Sequence, residues 1–423
     1  MVCLQAPTVQ QASLATTRKS RTERSVVRFA KRPLMWMALI LLLAPLLAVV
    51  QPRPAAAAGV VSECTEAALR AAVAGGGGIT FRCKGTITLT SPLVITQNTD
   101  IAGDGVITLS GGSNTRLITI AQGVEVYLSG LRLNWGNSTF SGNLGQGGAI
   151  YNEGRLTVIY STFSNNIGTS GGAIYNTSTG YLTIYISVLT NNSAGQGGAI
   201  SNGGTLILKG STLSDNRATL AANAAGGAAL GNGGGASATI TNSTFTGNDT
   251  LAYGGAIINS GHLSLSASTL VGNNAYGGSA IGNNFGVVEL TANILGSSSR
   301  SGACGGLTGV TSRGSNVVSD HSCNLTASGD IQGVDPRLGP LADNNGITPT
   351  MLPQRDSPAL DRVPNQLCAD LSRGNNGVDQ RGNNRPVGNA PCDSGSAELT
   401  RAEWCAWKVG RSPEPPELNG WEC

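Results

Sequence analysis

Short stretches of alternating apolar and polar residues run through the middle of the chain. In Leu156–Asn166 (LTVIYSTFSNN) and Leu182–Asn192 (LTIYISVLTNN), apolar residues recur at every second position until an Asn-rich turn. A period of two is the signature of a β-strand. Glycine pairs separate the copies and would interrupt any helix. Related stretches are Leu206–Asn216, Ala238–Asn248, Leu263–Asn274, a degenerate copy at Val288–Leu295, and an earlier copy ending at Phe140.

A glycine-rich motif precedes each predicted strand. It reads GGAIYN at Gly147–Asn152 and again at Gly171–Asn176, and an apolar residue lies two positions before each Asn. These apolar residues are spaced by 24, 26, 30, 27 and 24 residues. Propeller blades need roughly 40–50 residues each, so the spacing favours a solenoid. The apolar positions are Ile150, Ile174, Ile200, Leu230, Ile257 and Ile281.

One such repeat cannot bury its apolar face alone, whereas stacked copies can. The sequence therefore predicts an all-β fold, a right-handed parallel β-helix whose coils place equivalent residues ~4.8 Å apart. The apolar positions above would form one internal ladder. A second ladder would comprise Phe140, Phe163, Leu189, Leu213, Phe245 and Leu270. Side-chain amides would bond coil to coil along Asn152, Asn176, Asn202, Asn232, Asn259 and Asn283.

The two ends of the repeat region differ from its middle. Thr65–Val73 (TEAALRAAV) has a helical pattern and is predicted to cap the first coils, which we expect to begin near Gly85. The regular spacing stops after about residue 300. We therefore predict a β-helix with its cap at 59–300, a less regular C-terminal region at 301–398 and a surface tail at 399–423. The longest insert between copies, Ala218–Ala225, is predicted to be a corner loop.

Residues 1–58 have the order of a secretory signal. A basic stretch ending at Lys31-Arg32 precedes an apolar run, Leu34–Val50, and a run of alanines ends at Ala58, where we expect cleavage. An uncleaved membrane anchor is the alternative, but a span needs ~20 apolar residues. The formal net charge of the whole chain is +3, and residues 1–58 alone carry +7, so the remainder of the chain has a net charge of −4. Without a basic stripe, nucleic-acid binding is not expected.

Charged residues make up 12% of the chain and glycine occurs 60 times, against about 25% charged residues in ordinary globular domains. This composition fits strands and turns. Eight cysteines remain after the leader, and they fall in neighbouring pairs without a CxxC motif, so disulfides in an oxidising compartment are favoured over zinc. Eight cysteines allow 105 connectivities, and we predict neighbours. The pairs are Cys64/Cys83, Cys304/Cys323, Cys368/Cys392 and Cys405/Cys423.

The paired GGAI and STF-x-x-N motifs over residues 123–296 resemble the chlamydial polymorphic outer-membrane protein repeat. The C-terminal region resembles the choice-of-anchor Q domain of bacterial surface proteins. The residues that carry this second resemblance are Gly333–Leu341, Asp343–Gly346, Ser357–Asp361, Asp379–Gly382, Arg385-Pro386 and Cys392-Asp393. The two resemblances imply a pectin-lyase-like right-handed β-helix at the cell surface or cell outer membrane, or released from it, with adhesive roles and no defined catalysis.

Many β-helix proteins cleave polysaccharides, so an enzyme must be considered. Glycoside hydrolysis needs two carboxylates about 5–10 Å apart, yet acids are sparse and scattered in the repeats. The best constellation is Asp215 and Arg217, with Asp249 one coil later, all in or after the Asn turn. Solubilising corner charges are the simpler interpretation. We predict no catalytic residue, no metal and no cofactor; a polysaccharide lyase or glycoside hydrolase is the alternative.

Binding is the favoured function. Tyr151 and Tyr175 occupy the same repeat position on successive coils, and Tyr253 and Tyr276 are predicted to do so as well. Rings on successive coils could stack on sugars; the alternative is that they merely cover the sheet. We therefore expect a secreted or cell-surface, adhesin-like protein. Its partners would be extracellular glycans or surface proteins, with no membrane span in the mature chain, and it would be monomeric.

Overall fold

A computed structural model describes residues 57–139, 145–219, 226–306, 310–374, 377–385, 391–400 and 402–403. Nearly all of the predicted leader, Phe140, most of the Ala218–Ala225 insert and most of the predicted tail, including Cys405 and Cys423, lie outside these residues. The described chain is an all-β parallel solenoid, as predicted. It contains two helices, one of them near the N-terminal end.

The strands are short, and most have three to five residues. In chain order the elements are β1 Ala57–Val61, α1 Glu66–Val73, β2 Gly77–Phe81, β3 Gly85–Thr88, β4 Leu93–Ile95, β5 Thr99–Ser110, β6 Ile118–Ile120, β7 Glu125–Asn134, β8 Ile150–Asn152, β9 Arg155–Ile159, β10 Thr162–Ser164, β11 Ile174–Asn176, β12 Tyr181–Tyr185, β13 Val188–Thr190, β14 Ser193–Ala194, β15 Ile200–Asn202, β16 Thr205–Lys209, β17 Thr212–Ser214, β18 Arg217–Ala218, β19 Leu230–Asn232, β20 Ser237–Thr241, β21 Thr244–Thr246, β22 Asp249–Thr250, β23 Ile257–Asn259, β24 His262–Ser266, β25 Thr269–Leu270, β26 Ile281–Asn283, β27 Val287–Thr291, β28 Ile294–Leu295, β29 Cys304–Gly306, β30 Thr311–Gly314, β31 Val317–Val318, β32 Ile331–Gln332 and α2 Asn365–Gly374.

Each coil contributes strands to three faces, which we call faces 1, 2 and 3. Face 1 contains β9, β12, β16, β20, β24 and β27, and face 2 contains β10, β13, β17, β21, β25, β28, β31 and β32. The long strands β5 and β7 bend between these faces and belong to both. Face 3 is the nine-stranded sheet β4–β6–β8–β11–β15–β19–β23–β26–β29. These pairs are parallel, which is why each needs a coil-length connection.

The corner between faces 1 and 2 has a fixed backbone shape. On successive coils one residue there adopts a positive φ, and glycine fills the position only on some coils. Ile186 has φ 45° although it is β-branched, a conformation that costs of order 1–3 kcal/mol and persists only where the surroundings enforce it. The hydrogen-bonded stack therefore dictates the corner geometry. The positions are Gly130, Tyr160, Ile186, Gly210, Asn242, Ala267 and Ala292.

The interior consists of aliphatic ladders. The predicted face 3 ladder from Ile150 to Ile281 is in register and buried at every rung. It extends beyond the prediction to Leu93 at one end and Cys304 at the other. The second ladder is confirmed from Phe163 to Leu270. Placing Phe140 in it was wrong, because Leu133 of the continuous strand β7 pairs with Phe163 and takes that rung.

The predicted asparagine ladder is also confirmed. Each side-chain amide from Asn152 to Asn259 donates to the Oδ1 of the next rung at 2.7–3.0 Å, and all these side chains are buried. The same nitrogens also donate to backbone carbonyls in the turn, such as Gly204 O and Ser237 O for Asn202. Since buried polar groups are costly without partners, this saturation stabilises the turn on every coil.

Two further polar ladders were not predicted. Asn166, Asn192, Asn216, Asn248 and Asn273 form a second asparagine ladder at 2.8–3.0 Å. At the start of face 2, a serine hydroxyl on each coil accepts from the backbone N–H of the equivalent serine one coil earlier. The invariant Ser and last Asn of the repeat were the available signals. The serine ladder comprises Ser161, Ser187, Ser211, Ser243 and Ser268, and Asn293, Asn316 and Asp330 continue it.

Helix α1 caps the N-terminal end as predicted. Thr65 is its N-cap and accepts from Ala68 N–H, and Leu69 and Val73 are buried against the first coils. The stack itself begins earlier than Gly85. Strand β1 (Ala57–Val61) precedes the helix and pairs with β2, which in turn pairs with β5. Its short apolar run next to the leader gave no repeat signal.

The C-terminal end of the stack also lies beyond the predicted limit. Strands β29 to β32 continue the ladders past residue 300, to Ile331–Gln332. The described residues between 335 and 400 then lie along the outside of the solenoid, and we call them the return segment. It contains α2 and isolated antiparallel bridges such as Leu338 with Pro353, in contrast to the parallel stack.

The return segment is fastened to face 2 by hydrogen bonds. Thr212 Oγ1 donates to Pro349 O at 2.6 Å, and the Gln380 side chain bonds both Thr212 and Thr244. Ser396 bonds Thr269. On face 2, the side chains that point away from the solenoid core between Thr212 and Val317 are therefore buried beneath the return segment.

Buried charges hold the return segment together. Arg381 pairs with Asp379 and Glu403, and Arg385 donates to Glu398 Oε2 at 2.9 Å. With Asp393, the cluster has four carboxyl groups and two guanidinium groups. Burial raises the pKa of Asp393 to about 7 and that of Glu398 to about 8, against the opposing effect of Arg385.

Three of the four predicted disulfides are present: Cys64–Cys83, Cys304–Cys323 and Cys368–Cys392. The first lies at the N-terminal cap, the second links the last coils, and the third joins α2 to the rest of the return segment. The fourth, Cys405–Cys423, lies outside the described residues. The first two disulfides thus fasten the ends of the stack, where fewer neighbouring coils contribute contacts.

Candidate functional site

Tyr151 and Tyr175 lie on the outer side of face 3 in direct register. Their rings stack with centroids 5.6 Å apart and planes 9° apart. Arg116, from the preceding coil, lies 5.1 Å from the centroid of Tyr151. Its guanidinium group is buried and donates to Gly147 O at 3.0 Å and Gln146 O at 2.6 Å. The rings therefore cover each other and present mainly their edges and hydroxyl groups to solvent.

The hydroxyl group of Tyr151 remains a hydrogen-bond donor near neutral pH. Burial and the nearby Glu153 and Tyr175 raise the pKa of Tyr151. Because stacking on a sugar needs an open ring face, the side of Tyr175 toward Ser201 is the part of the pair suited to it. Binding by Tyr151 and Tyr175 stays a prediction.

The other predicted tyrosine pair is not in register. Tyr253 pairs with Gly277 rather than Tyr276, because the motif at 277–283 has one residue more before its Asn. The Tyr253 ring lies over Gly277 and leaves no room for a Cβ there. Tyr253 and Tyr276 are both strongly exposed, at 49% and 61%. They are separate aromatic positions on adjacent coils, not two steps of one ladder.

The predicted charged constellation spans two adjacent coils. Arg217 and Asp249 are register partners on the small sheet β14–β18–β22. The Asp249 carboxylate pairs with Arg300 at 2.7 Å, and both side chains are partly exposed. Asp215 occupies an exposed turn with φ 55°. This arrangement matches the simpler interpretation, charges on solvated corners.

A second group of aromatic side chains was missed at the sequence level. Tyr127, Tyr160 and Tyr185 lie on three successive coils at the outer side of face 1 and its corner. The half-buried Ile159 pairs with Tyr185 and Ser129 and directly precedes Tyr160, so it lies on the coil between Tyr127 and Tyr185. We call these residues, with Ile159, the tyrosine cluster. Its members occupy different repeat positions, so alignment of the copies does not bring them together.

The tyrosine cluster is close-knit and includes a carboxylate at its edge. Asp100 is the register partner of Tyr127. Burial raises the pKa of Tyr127, and the charges of Asp100, Tyr160 and Tyr185 raise it further. Burial raises the pKa of Asp100 as well. Tyr160 is 51% exposed, so a ring is available to an incoming ligand.

An arginine and a further tyrosine extend the aromatic surface. The Arg155 guanidinium lies 4.2 Å from the centroid of Tyr181, one coil further on. Tyr181 lies on the same strand and the same side as Tyr185. Burial raises the pKa of Tyr185, and Tyr181 raises it further. The first coils of face 1 therefore present aromatic rings outward. The later coils present Ser, Thr and His at the equivalent positions, as in Ser237, Thr239 and His262.

Within the described part of the chain, no group of three His, Cys, Asp or Glu side chains is arranged to hold a metal ion. None of the described helices is long and apolar enough to cross a membrane.

Comparisons with known proteins gave no relatives. No protein-family model matches the sequence. No curated protein is significantly similar to it, and no solved structure matches its fold at a significant level. The resemblances to outer-membrane repeats and to the anchor domain therefore rest on the motifs alone, and the structure supports a parallel β-solenoid without specifying its family.

Proposed function

We propose that this chain is an exported, cell-surface or secreted binding protein of adhesin type that uses the lateral surface of its solenoid. The observation that carries the proposal is the concentration of outward-facing tyrosines on the first coils, on faces 1 and 3. A hydrogen-bonded stack holds such rings at fixed spacing, so little side-chain conformational freedom is lost on binding. Tyrosine combines apolar area with a hydroxyl group, which suits polar surfaces such as glycans.

The finer family assignment belongs to the same proposal. The GGAI and STF motifs resemble those of the polymorphic outer-membrane repeat, and they supply residues of the ladders. Export is supported by the basic-apolar-alanine order of residues 1–58 and by three disulfides, which persist in oxidising compartments.

A polysaccharide-cleaving enzyme is the weaker alternative. Its candidate acid Asp249 is engaged by Arg300, and Asp215 lies on an exposed turn. Charged side chains on solvated corners are common in proteins, so these two acids are weaker support than the outward tyrosines.

The test is binding of the purified full chain to a glycan array and to intact cells, with Tyr151→Ala/Tyr175→Ala and Tyr160→Ala as variants. Ser264→Ala, on the later coils of face 1, is the matched control. We expect binding that the tyrosine variants weaken and the control does not. Absence of binding to every glycan and cell type would refute the proposal. Incubation with a polysaccharide panel, followed by assay for new reducing ends or unsaturated products, tests the alternative; activity lost in Asp249→Asn would favour an enzyme.

A further inference from the structure

We propose that the tyrosine cluster, with Asp100, is a binding site for a neutral, hydroxyl-rich saccharide. This inference rests on the proposed function and narrows it to one site and one ligand class. The site lies on face 1, apart from the Tyr151–Tyr175 stack of face 3.

The tyrosine cluster spans three successive coils, and we call its outward surface the aromatic platform. Tyr127 and Tyr185 lie two coils apart, ~10 Å along the solenoid axis, and Tyr160 lies on the coil between them. Tyr160 follows Ile159 directly at the corner, where its φ of 51° turns the chain toward face 2. The apolar centre at Ile159 and the surrounding rings match the C–H faces of sugar rings, which stack on aromatic side chains.

Asp100 supplies the polar edge of the platform. Its side chain is half-buried next to Tyr127, and no hydrogen bond to its carboxylate occurs among the described residues. A partly buried carboxylate is stabilised by accepting hydrogen bonds, and the hydroxyl groups of a sugar can donate them. A polysaccharide of uronic acids would instead bring like charge against Asp100. The charge at this edge therefore favours a neutral saccharide over an acidic one.

A protein partner is the competing occupant. Ile186 and Val188 extend the apolar surface from the cluster toward Gly210, where Thr348 of the return segment docks. A second copy of this chain would bury those aliphatic side chains. The hydroxyl groups of the three tyrosines and the carboxylate of Asp100 favour the saccharide, since an apolar self-interface would leave them without partners.

Isothermal titration calorimetry of the full chain tests the site with cellohexaose, mannohexaose and a hexamer of galacturonic acid as probes. We expect a neutral hexasaccharide to bind, and Tyr160→Ala to raise its Kd about tenfold, or ~1.4 kcal/mol. Tyr160→Phe keeps the ring and should retain most of the affinity. Asp100→Ala should weaken binding more than Asp100→Asn, which keeps an acceptor oxygen. Phe285→Ala, which removes an exposed ring outside the cluster, is the control, and unchanged thermal midpoints show that the variants fold.

Several results would overturn the inference. Tighter binding of the acidic hexamer would contradict the role of Asp100. Self-association in sedimentation experiments that Tyr160→Ala abolishes would assign the platform to a second copy. If glycans or cells bind the chain but the cluster variants bind equally well, this site is wrong while the proposed function stands. If the chain binds nothing on the array or on cells, both fail.

Discussion

The corner and outer side of face 2 differ between the two halves of the solenoid. On the early coils the corner residues are Tyr160 and Ile186, and the outward positions Thr162 and Val188 are half-exposed. On the later coils the corner carries Asn242, Ala267 and Ala292, and all of these are buried beneath the return segment. We call these the open flank and the covered flank.

The difference teaches that one repeat can serve two purposes. Both flanks have the same backbone, since the register and the positive φ at the corner are shared. Small residues at the corner let another segment approach, as where Ala267 and Ala292 pack against Val363 and Cys392. Large residues there project into solvent and create a binding surface. Side-chain size at one repeat position thus separates the half that docks the chain's own C-terminal region from the half free to meet a ligand.

The largest expected effect is on the covered flank. Arg385→Ala removes a buried guanidinium that donates to Glu398 Oε2 and to the backbone oxygens of Asp393 and Gly395, and loss of such a buried network costs ~3–5 kcal/mol. We expect the return segment to be released while the stack persists. Limited proteolysis and denaturant unfolding followed at both regions measure this. Arg337→Ala removes the exposed pair with Asp356 in the same segment and should cost under ~1 kcal/mol. Equal effects of the two changes would mean that the buried cluster does not hold the segment.

An intermediate effect, equal in both halves, is expected from the asparagine ladder. Asn176→Ala and Asn259→Ala each remove amide bonds to the next rung and to turn carbonyls. We expect each to lower the free energy of unfolding by about 2–3 kcal/mol, since neighbouring buried groups lose their partners. Urea denaturation of the two variants provides the comparison. A much smaller loss at Asn259 would show that the return segment also supports face 3.

A smaller effect should separate the two flanks at one repeat position. Thr244→Val removes a hydroxyl that donates to Gln380 Oε1 at 2.7 Å and contacts Ser396 Oγ, and it should cost about 1–2 kcal/mol. Thr162→Val changes the same position on the open flank, where valine suits a half-exposed strand, and the stability should change by less than ~0.5 kcal/mol. Thermal unfolding measures both. Equal losses would mean that the hydroxyl acts within the coil and not in docking.

The last expected effect is a pH dependence confined to the covered flank. The raised pKa of Asp393, about 7, and of Glu398, about 8, means that the folded segment binds protons that the unfolded chain has released. Docking should be strongest at acidic pH and weaken as pH rises through 7 to 8, by at most ~1.4 kcal/mol per pH unit for each proton. Hydrogen exchange at Ser394 and Gly395 between pH 5 and 9, corrected for intrinsic rates, measures this, with Ile174 as the internal reference. Stronger protection at high pH would contradict the assignment.

Much of the fold could be predicted because the same residue types recur at the same position in successive copies of the repeat. The alternation gave the strands, and the constant Ile and Asn positions gave a buried ladder and an amide ladder that the structure confirms. The neighbouring cysteines gave three disulfides for a similar reason, since short loops restrict the choice of partner. Phe140 misled because Leu133 fills the same rung without the STF motif.

The candidate site was less accessible to sequence reasoning. Tyr151 and Tyr175 share a repeat position and were found, but the mutual stacking that covers their ring faces was not foreseen. Tyr253 and Tyr276 were matched by their place before a glycine pair, whereas the stack aligns them by the Asn after it. Tyr127, Tyr160 and Tyr185 lie at unlike repeat positions, and only the coil-to-coil register brings them together.

By itself the sequence determined that this chain stacks as a parallel solenoid and which side chains form its interior. Interior residue types recur because every coil packs between two similar coils, so the same apolar pattern appears in each copy of the repeat. The tertiary structure decided which outward residues meet, and where the return segment docks along the stack. These contacts join residues more than 100 positions apart, such as Thr244 and Gln380, and occur once each, so no periodicity along the chain records them.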